Sequence, residues 1–444
     1  MARRSGTNPK LAQARLREIM VDPLRFSTDA DDISSYLEPG PAAGEIVAVI
    51  FPRSQRDIEQ ALEVARNYKL AVYTPQPWGI KAKRTGFIVD FKYMADLKSL
   101  DERCLFMEVE PGVTWEQVLP ELAARGLTVA LPAAAHSPYV LENVLERGVV
   151  LPACKHTNRQ LGTFHAVLAD GREYRSGSDA LPNSVTHWRE DGGPNISRVF
   201  SGSRNSFGLP VRAFVYLYPE AEERKVVVRG FANRQGAVRL AQRAARLEIG
   251  TEVVILNKAK ARDILGSGTG LEPWSLVFGL EGSPKLVAYQ EKRLGELAGE
   301  LKLKPGAAGA KLVEAMGAAL GRPWYAPSLS LGFYTNFSRI EELSGMVEGA
   351  LKSSGKLAQM LVPVKRGASV YVQYEVQDTS NGAGKALEKL LPKLADAGAY
   401  FDNPTGSLAS HILKKQPAYS SLLKDIKKLM DPDNILNPGQ VVEV

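Results

Sequence analysis

The chain has 444 residues, 44% hydrophobic and 24% charged, which excludes a disordered polypeptide and is too long for one ordinary core, so two or three domains are expected. Its net charge of +7 arises from 56 basic and 49 acidic residues interleaved along the chain, a solvated surface without the basic and aromatic runs of a nucleic-acid groove. Two cysteines, Cys104 and Cys154, exclude a disulfide framework or Cys-rich metal site and suit a reducing compartment. Met1-Ala2-Arg3-Arg4 has the charge of an export signal, but no apolar segment follows, and no window reaches the ~18 apolar residues of a membrane span. A cytoplasmic location is expected.

In chain order, residues 9–21 have helical spacing, with Leu11, Leu16, Ile19 and Met20 on one face. The apolar run 46–51 reads as a buried strand stopped by Pro52, and Ser54 as the N-cap of a helix ending near Tyr68. A short strand at 70–73 completes a strand-helix-strand unit, so these two strands are expected to be parallel. Strands follow at 86–91 and 105–109, a helix at 114–125, and a hairpin at 164–175 turning at Ala169-Asp170-Gly171. A strand at 213–217 ends this block at Pro219.

From 220 to about 401 the rhythm changes. Strands at 225–228, 252–256, 274–280, 328–334 and 369–376 alternate with helices at 234–247, 285–301, 339–352 and 383–397. This pattern predicts an α+β domain with ferredoxin-like halves, one antiparallel sheet with helices over one face. A last amphipathic helix is expected at 419–430.

Several motifs occur in a fixed order over nearly the whole chain. They are Ile46-Val47-Ala48-Val49-Ile50-Phe51-Pro52-Arg53-Ser54, Glu110-Pro111-Gly112-Val113-Thr114-Trp115, residues 141–149 (LENVLERGV), and Val167-Leu168-Ala169-Asp170-Gly171. Phe200-Ser201-Gly202-Ser203, Gly208-Leu209, Tyr218-Pro219, Ala399-Tyr400-Phe401 and residues 431–439 (DPDNILNPG) complete the set. In this order they resemble the FAD-linked oxidases of the vanillyl-alcohol oxidase and p-cresol methylhydroxylase (PCMH) type. The resemblance implies a two-subdomain PCMH-type FAD-binding domain at 41–219 and an antiparallel-sheet cap domain at 220–405. An N-terminal helical segment (1–40) would precede them, and a segment at 406–444 would return to the first domain. It also implies FAD between the subdomains and oxidation of an alcohol, hydroxy acid or phenol by hydride transfer to the flavin.

Carried onto this chain, the cofactor positions are Pro75, Trp78, Gly79, Lys81, Asn143, Arg147, Gly148, His156, Gly202, Gly208, Val211 and Asn437. A diphosphate needs inward backbone amides and glycines that permit close approach. The loop 74–85 keeps only Gly79, and Pro75 and Pro77 each lack a donor, while Lys81, Lys83 and Arg84 offer compensating charge. The alternative is a solvated basic loop on a flavin-free protein, with Trp78 filling the vacated space. Glu142 stands where the family has a glycine, and another glycine is missing from 149–151.

Lys155 precedes His156 where the family has Asp before His, and no arginine stands at 402–406 to hold a phenolate. No catalytic residue is therefore assigned, and no covalent flavin is expected. The five histidines show no ligand spacing, so no metal is expected. Tyr371 and Gln373 share a strand face, and with Trp324, Tyr325 and Tyr334 they could wall a pocket or simply fill core. Two readings stay open. One is an oligomeric FAD-dependent oxidoreductase passing electrons from a small-molecule substrate to an acceptor protein. The other is a flavin-free structural subunit beside an active homologue.

Overall fold

The computed structural model describes residues 8–38, 40, 43–152, 160–181, 183, 191–266, 271–327, 329–352, 355–376 and 381–442. Its first sheet has four strands in the order Phe26–Ser27, Ile46–Ile50, Gly86–Val89, Ala71–Tyr73. The last three are parallel, as expected for a strand-helix-strand unit, with Gly86–Val89 inserted between the other two. The crossover helix Gln55–Tyr68 begins at a capping box: the Ser54 hydroxyl accepts from the Asp57 amide at 3.2 Å, and the Asp57 carboxylate accepts from the Ser54 amide at 3.1 Å. Its Ile58, Leu62 and Ala65 pack with Leu16 of the N-terminal helix Pro9–Ile19 and with the sheet.

The second sheet is antiparallel, in the order Leu97–Asp101, Phe106–Val109, Leu209–Tyr216, Leu161–Val167, Glu173–Arg175. The hairpin expected at 164–175 is present, and the chain returns through Leu168–Arg172 with two backbone hydrogen bonds. The edge strand Leu97–Asp101 escapes the sequence reading because it is largely exposed and carries only two leucines.

The third sheet has seven antiparallel strands, in the order Gly306–Ala307, Glu223–Phe231, Trp274–Gly282, Glu252–Asn257, Leu357–Val364, Ser369–Val376, Ser330–Thr335. The strand Leu357–Val364 is missing from the sequence reading, although it joins the two halves. Pro363 argues against a central strand, but it lies beyond the short register of Ile255 with Leu361 and Leu256 with Met360. There a missing N–H breaks no ladder bond between the halves.

Side chains alternate along these strands and so feed two cores. Val253, Ile255, Phe278, Leu361 and Val372 pack under the helices Arg234–Arg246, Pro284–Glu300, Ile340–Ala350 and Asn381–Asp396. Val254, Leu256, Val277, Met360 and Val362 share a core with Trp115, Phe164 and Phe200 of the second sheet's region. Helices Lys258–Leu265 and Ala310–Leu320 also lie on that side, so helices flank both faces rather than the single face expected from sequence.

The chain ends with helices Gly406–Lys414 and Pro417–Met430 and then meets the first sheet. The Val72 amide donates to the Ile435 carbonyl at 2.7 Å, and the Asn437 amide to the Val72 carbonyl at 2.9 Å. Lys427 is fully buried there, its Nζ donating to Asp431 Oδ2 and to the carbonyls of Ser206 and Leu436.

Candidate functional site

The loop after Ala71–Tyr73 is clasped along its length. The Thr74 amide donates to Asn437 Oδ1 at 3.0 Å, and Asn437 Nδ2 donates back to the Thr74 hydroxyl and to the Arg204 carbonyl. Asn437 sits at φ 40°, a left-handed conformation that asparagine tolerates. Gly79, at φ 86°, lies so near residues 37–38 that a Cβ would fall 2.5 Å from the Glu38 nitrogen. The Gly79 amide donates to the Gln76 carbonyl, and the Ile80 amide to the Tyr36 carbonyl. The buried Tyr73 hydroxyl accepts from the amides of Lys83 and Arg84 at 3.1 and 3.0 Å and donates to the Arg84 carbonyl.

The loop's side chains are also placed by the protein. Arg84 spends its guanidinium on the carbonyls of Lys69, Asp433 and Asn434. Lys81 points to solvent. Trp78 is 41% exposed, its ring 5.6 Å from that of His136 and 5.9 Å from the Arg204 guanidinium. It covers the rim instead of plugging the interior.

Opposite the loop stands the short helix Val140–Leu145. Asn143 Nδ2 donates to the carbonyls of Ser137 and Tyr139, so this candidate side chain braces its own turn. Glu142 accepts from the Ser137 hydroxyl, and burial pushes its carboxyl up from the ordinary range. Glu146 is 8% exposed and Arg204 6%. Glu146 Oε1 accepts from the Arg204 amide at 2.9 Å, and Oε2 lies 3.3 Å from Arg204 Nε. Burial raises the Glu146 carboxyl too, against the pull of Arg204. Asp90, Glu142 and Glu146 line one small cavity of about 40 Å³ together with Thr74, Pro75, Tyr139 and Asn205.

The remaining candidates fall at a junction of domain and cap. Arg147, at φ 54°, donates to the Asp402 carbonyl and to Asn403 Oδ1, and its guanidinium lies 3.5 Å from the Asp402 carboxylate. Asn403 donates in turn to the Glu146 carbonyl. An arginine thus does reach residues 402–403, but from the opposite domain, which no local pattern reveals. Gly148 donates to the Asn143 carbonyl. A Cβ on Gly202 would fall 2.5 Å from both Arg147 and Asn403, and one on Gly208 2.8 Å from Phe200. Val211 belongs to the core under the first sheet. His156 and Lys155 lie outside the described residues.

Across the cap sheet, Lys260 Nζ and Glu375 Oε1 form a buried pair at 2.5 Å, and Gln373 Nε2 donates to the same carboxylate. Gln373 Oε1 is buried without a partner. Tyr371 stacks obliquely on Tyr334, ring centroids 5.0 Å apart, and lies over Gly332. Trp324 is core, its indole N–H donating to the Ala319 carbonyl, whereas Tyr325 is exposed, so the two form no common wall. Among the described residues no three His, Cys, Asp or Glu side chains converge as metal ligands.

Comparison with known proteins gives this arrangement a lineage. Residues 46–177 match the FAD binding domain family. The 4-cresol dehydrogenase (hydroxylating) flavoprotein subunit of Pseudomonas putida is 25% identical over 185 residues, 39% of this chain and 35% of that protein. The glycolate oxidase subunit GlcD of Bacillus subtilis (strain 168) is 24% identical over 198 residues, 43% of this chain and 41% of that one. The chain thus matches less than half the length of these curated relatives. The crystal structure of p-cresol methylhydroxylase with substrate bound superposes with a TM-score of 0.83 at 17% identity, covering 98% of this chain and 97% of that one.

FAD is the cofactor that goes with this domain, and its diphosphate requires donors aimed inward. Here the amides of Thr74, Gly79, Ile80, Lys83 and Arg84 already have protein acceptors. The facing wall is acidic at Asp90, Glu142 and Glu146. These five amides and the acidic wall therefore offer a diphosphate no donor as they stand. Residues 46–177 thus carry an FAD binding domain, and the whole chain has the fold of p-cresol methylhydroxylase.

Proposed function

We propose that the chain works in an FAD-dependent oxidoreductase that oxidises a small alcohol, hydroxy acid or phenolic compound, as one subunit of a cytoplasmic oligomer. The observation that carries this reading is the match of residues 46–177 to the FAD binding domain family, on a chain whose whole length follows the p-cresol methylhydroxylase fold. The relatives from Pseudomonas putida and Bacillus subtilis are both subunits, and the substrates in their names are small. Such a reaction must pass its electrons on, and an electron-accepting protein or a sister subunit is the partner that would take them.

Within such an assembly this chain's own groups supply structure around the cleft. Arg147 ties the Val140–Leu145 turn to residues 402–403, and the Lys260–Glu375–Gln373 cluster presents polar groups on the cap sheet. No described helix is long and apolar enough to cross a membrane.

The test is a substrate panel of alcohols, 2-hydroxy acids and para-substituted phenols, assayed with an artificial electron acceptor on the complex isolated with this chain. Reduction of the acceptor by one class supports the reading. A complex that reduces the acceptor with none of them removes it.

A further inference from the structure

Resting on that reading, we propose that this chain carries no FAD: its inherited dinucleotide site is sealed by its own residues, and the flavin of the assembly resides on a second, flavin-loaded chain. The first ground is donor accounting. A diphosphate is held by several backbone amides or cations at once. Along residues 74–85, Pro75 and Pro77 have no amide hydrogen, and five other amides are committed to Asn437, Gln76, Tyr36 and Tyr73. The Arg84 guanidinium is committed to three carbonyl oxygens. Freeing Thr74 and Arg84 means breaking their contacts with Asp433, Asn434 and Asn437, beside the first sheet.

The second ground is charge. The wall facing the loop holds the carboxylates of Asp90, Glu142 and Glu146. The buried cation beside them, Arg204, lies with Nε 3.3 Å from Glu146 Oε2 in an ion pair, although neither atom makes a hydrogen bond. A diphosphate would add negative charge to a cluster where burial already disfavours ionised carboxylates at Glu142 and Glu146.

The third ground is space. The cavity bounded by Thr74, Pro75, Asp90, Glu142, Glu146 and Asn205 measures about 40 Å³, room for a few water molecules at roughly 10–15 Å³ each on that measure. Of the four candidate glycines, three are closely approached by protein, while Gly148 has only the Asn143 carbonyl at 3.4 Å. Gly202 lies under Arg147 and Asn403, Gly208 under Phe200, and Gly79 on residues 37–38.

The experiment uses the full chain, produced alone with riboflavin supplied and checked for a cooperative melting transition. The visible spectrum and the melting temperature in increasing FAD are then measured. The expected result is a colourless protein whose melting temperature does not move up to about 1 mM FAD, a concentration that stabilises any micromolar binder by mass action. About one FAD per chain after purification, or a saturable rise in melting temperature, overturns the proposal.

A second measurement uses the complex isolated with its native partners, denatured and separated so that each polypeptide's FAD is counted. FAD only on another chain supports the proposal. FAD on this chain in an active complex overturns it and leaves the proposed function standing. A colourless complex inactive on every substrate class removes the proposed function while the sealed site stands.

Discussion

Glu146 and Arg204 form a buried ion pair, Oε2 to Nε 3.3 Å, directly behind the loop that begins at Thr74. Arg204 also presents its carbonyl to Asn437. One arginine thus links the acidic wall to the last turn of the chain. Four expected outcomes follow from this clasped arrangement.

Asn437→Ala removes three hydrogen bonds and leaves the buried Thr74 amide without an acceptor. An unsatisfied buried donor costs roughly 1–3 kcal/mol. The denaturant midpoint should fall accordingly, and in a double-mutant cycle with Thr74→Val the two losses should be less than additive. Full additivity would show that Asn437 and Thr74 do not act on each other.

Tyr73→Phe deletes the hydroxyl that accepts from the Lys83 and Arg84 amides while leaving the buried ring in place. The loss should be about 1–3 kcal/mol of stability. Amide exchange at Lys83 and Arg84 should accelerate more than exchange in Gly86–Val89. Unchanged exchange at those two amides would contradict the assigned bonds.

Glu142→Gln tests the acidic wall through pH. The folded state raises the Glu142 carboxyl above its ordinary 4.5. The folded protein therefore binds the proton more tightly than the unfolded chain, and this group's contribution is fully present below about pH 4.5 and is lost as pH rises through the folded value. The neutral amide escapes that loss. The variant should melt above the wild type at pH 7 and close to it at pH 4.5. A difference that is the same at both pH values would refute the role of ionisation.

Lys427→Met leaves Asp431 buried without its cation, although that carboxylate still accepts from the amides of Ile435 and Leu436. Breaking one partner of a buried pair costs about 3–5 kcal/mol. A midpoint shift well below that range would show that the two backbone donors suffice for Asp431.

Much of the fold is legible in the sequence. Alternation and helical spacing are local properties, so strands such as Ser369–Val376 and helices such as Gln55–Tyr68 fall where their own residues place them. The ordered motifs point to the family in the same way. Legibility fails where a neighbour overrides local preference. Leu357–Val364 is central despite Pro363, because its pairing with the other half of the sheet ends before that residue. On the flavin-free reading Trp78 would plug an empty cleft, but it lies at the rim, and Arg204 and Glu146 take the interior.

Residues read one by one already show a cofactor loop short of glycines and amide donors, at Pro75 and Pro77, and a carboxylate at Glu142 on the facing helix. Which of the other donors are taken is set by the folded chain. Some acceptors are near in sequence, as Gln76 is to Gly79 and Tyr73 to Lys83, but others lie far along the chain: Asn437 is 363 positions from Thr74, and the Asp402 carbonyl that Arg147 reaches is 255 positions away. Buried backbone donors find partners somewhere, and where the partner is distant, packing decides which one it is.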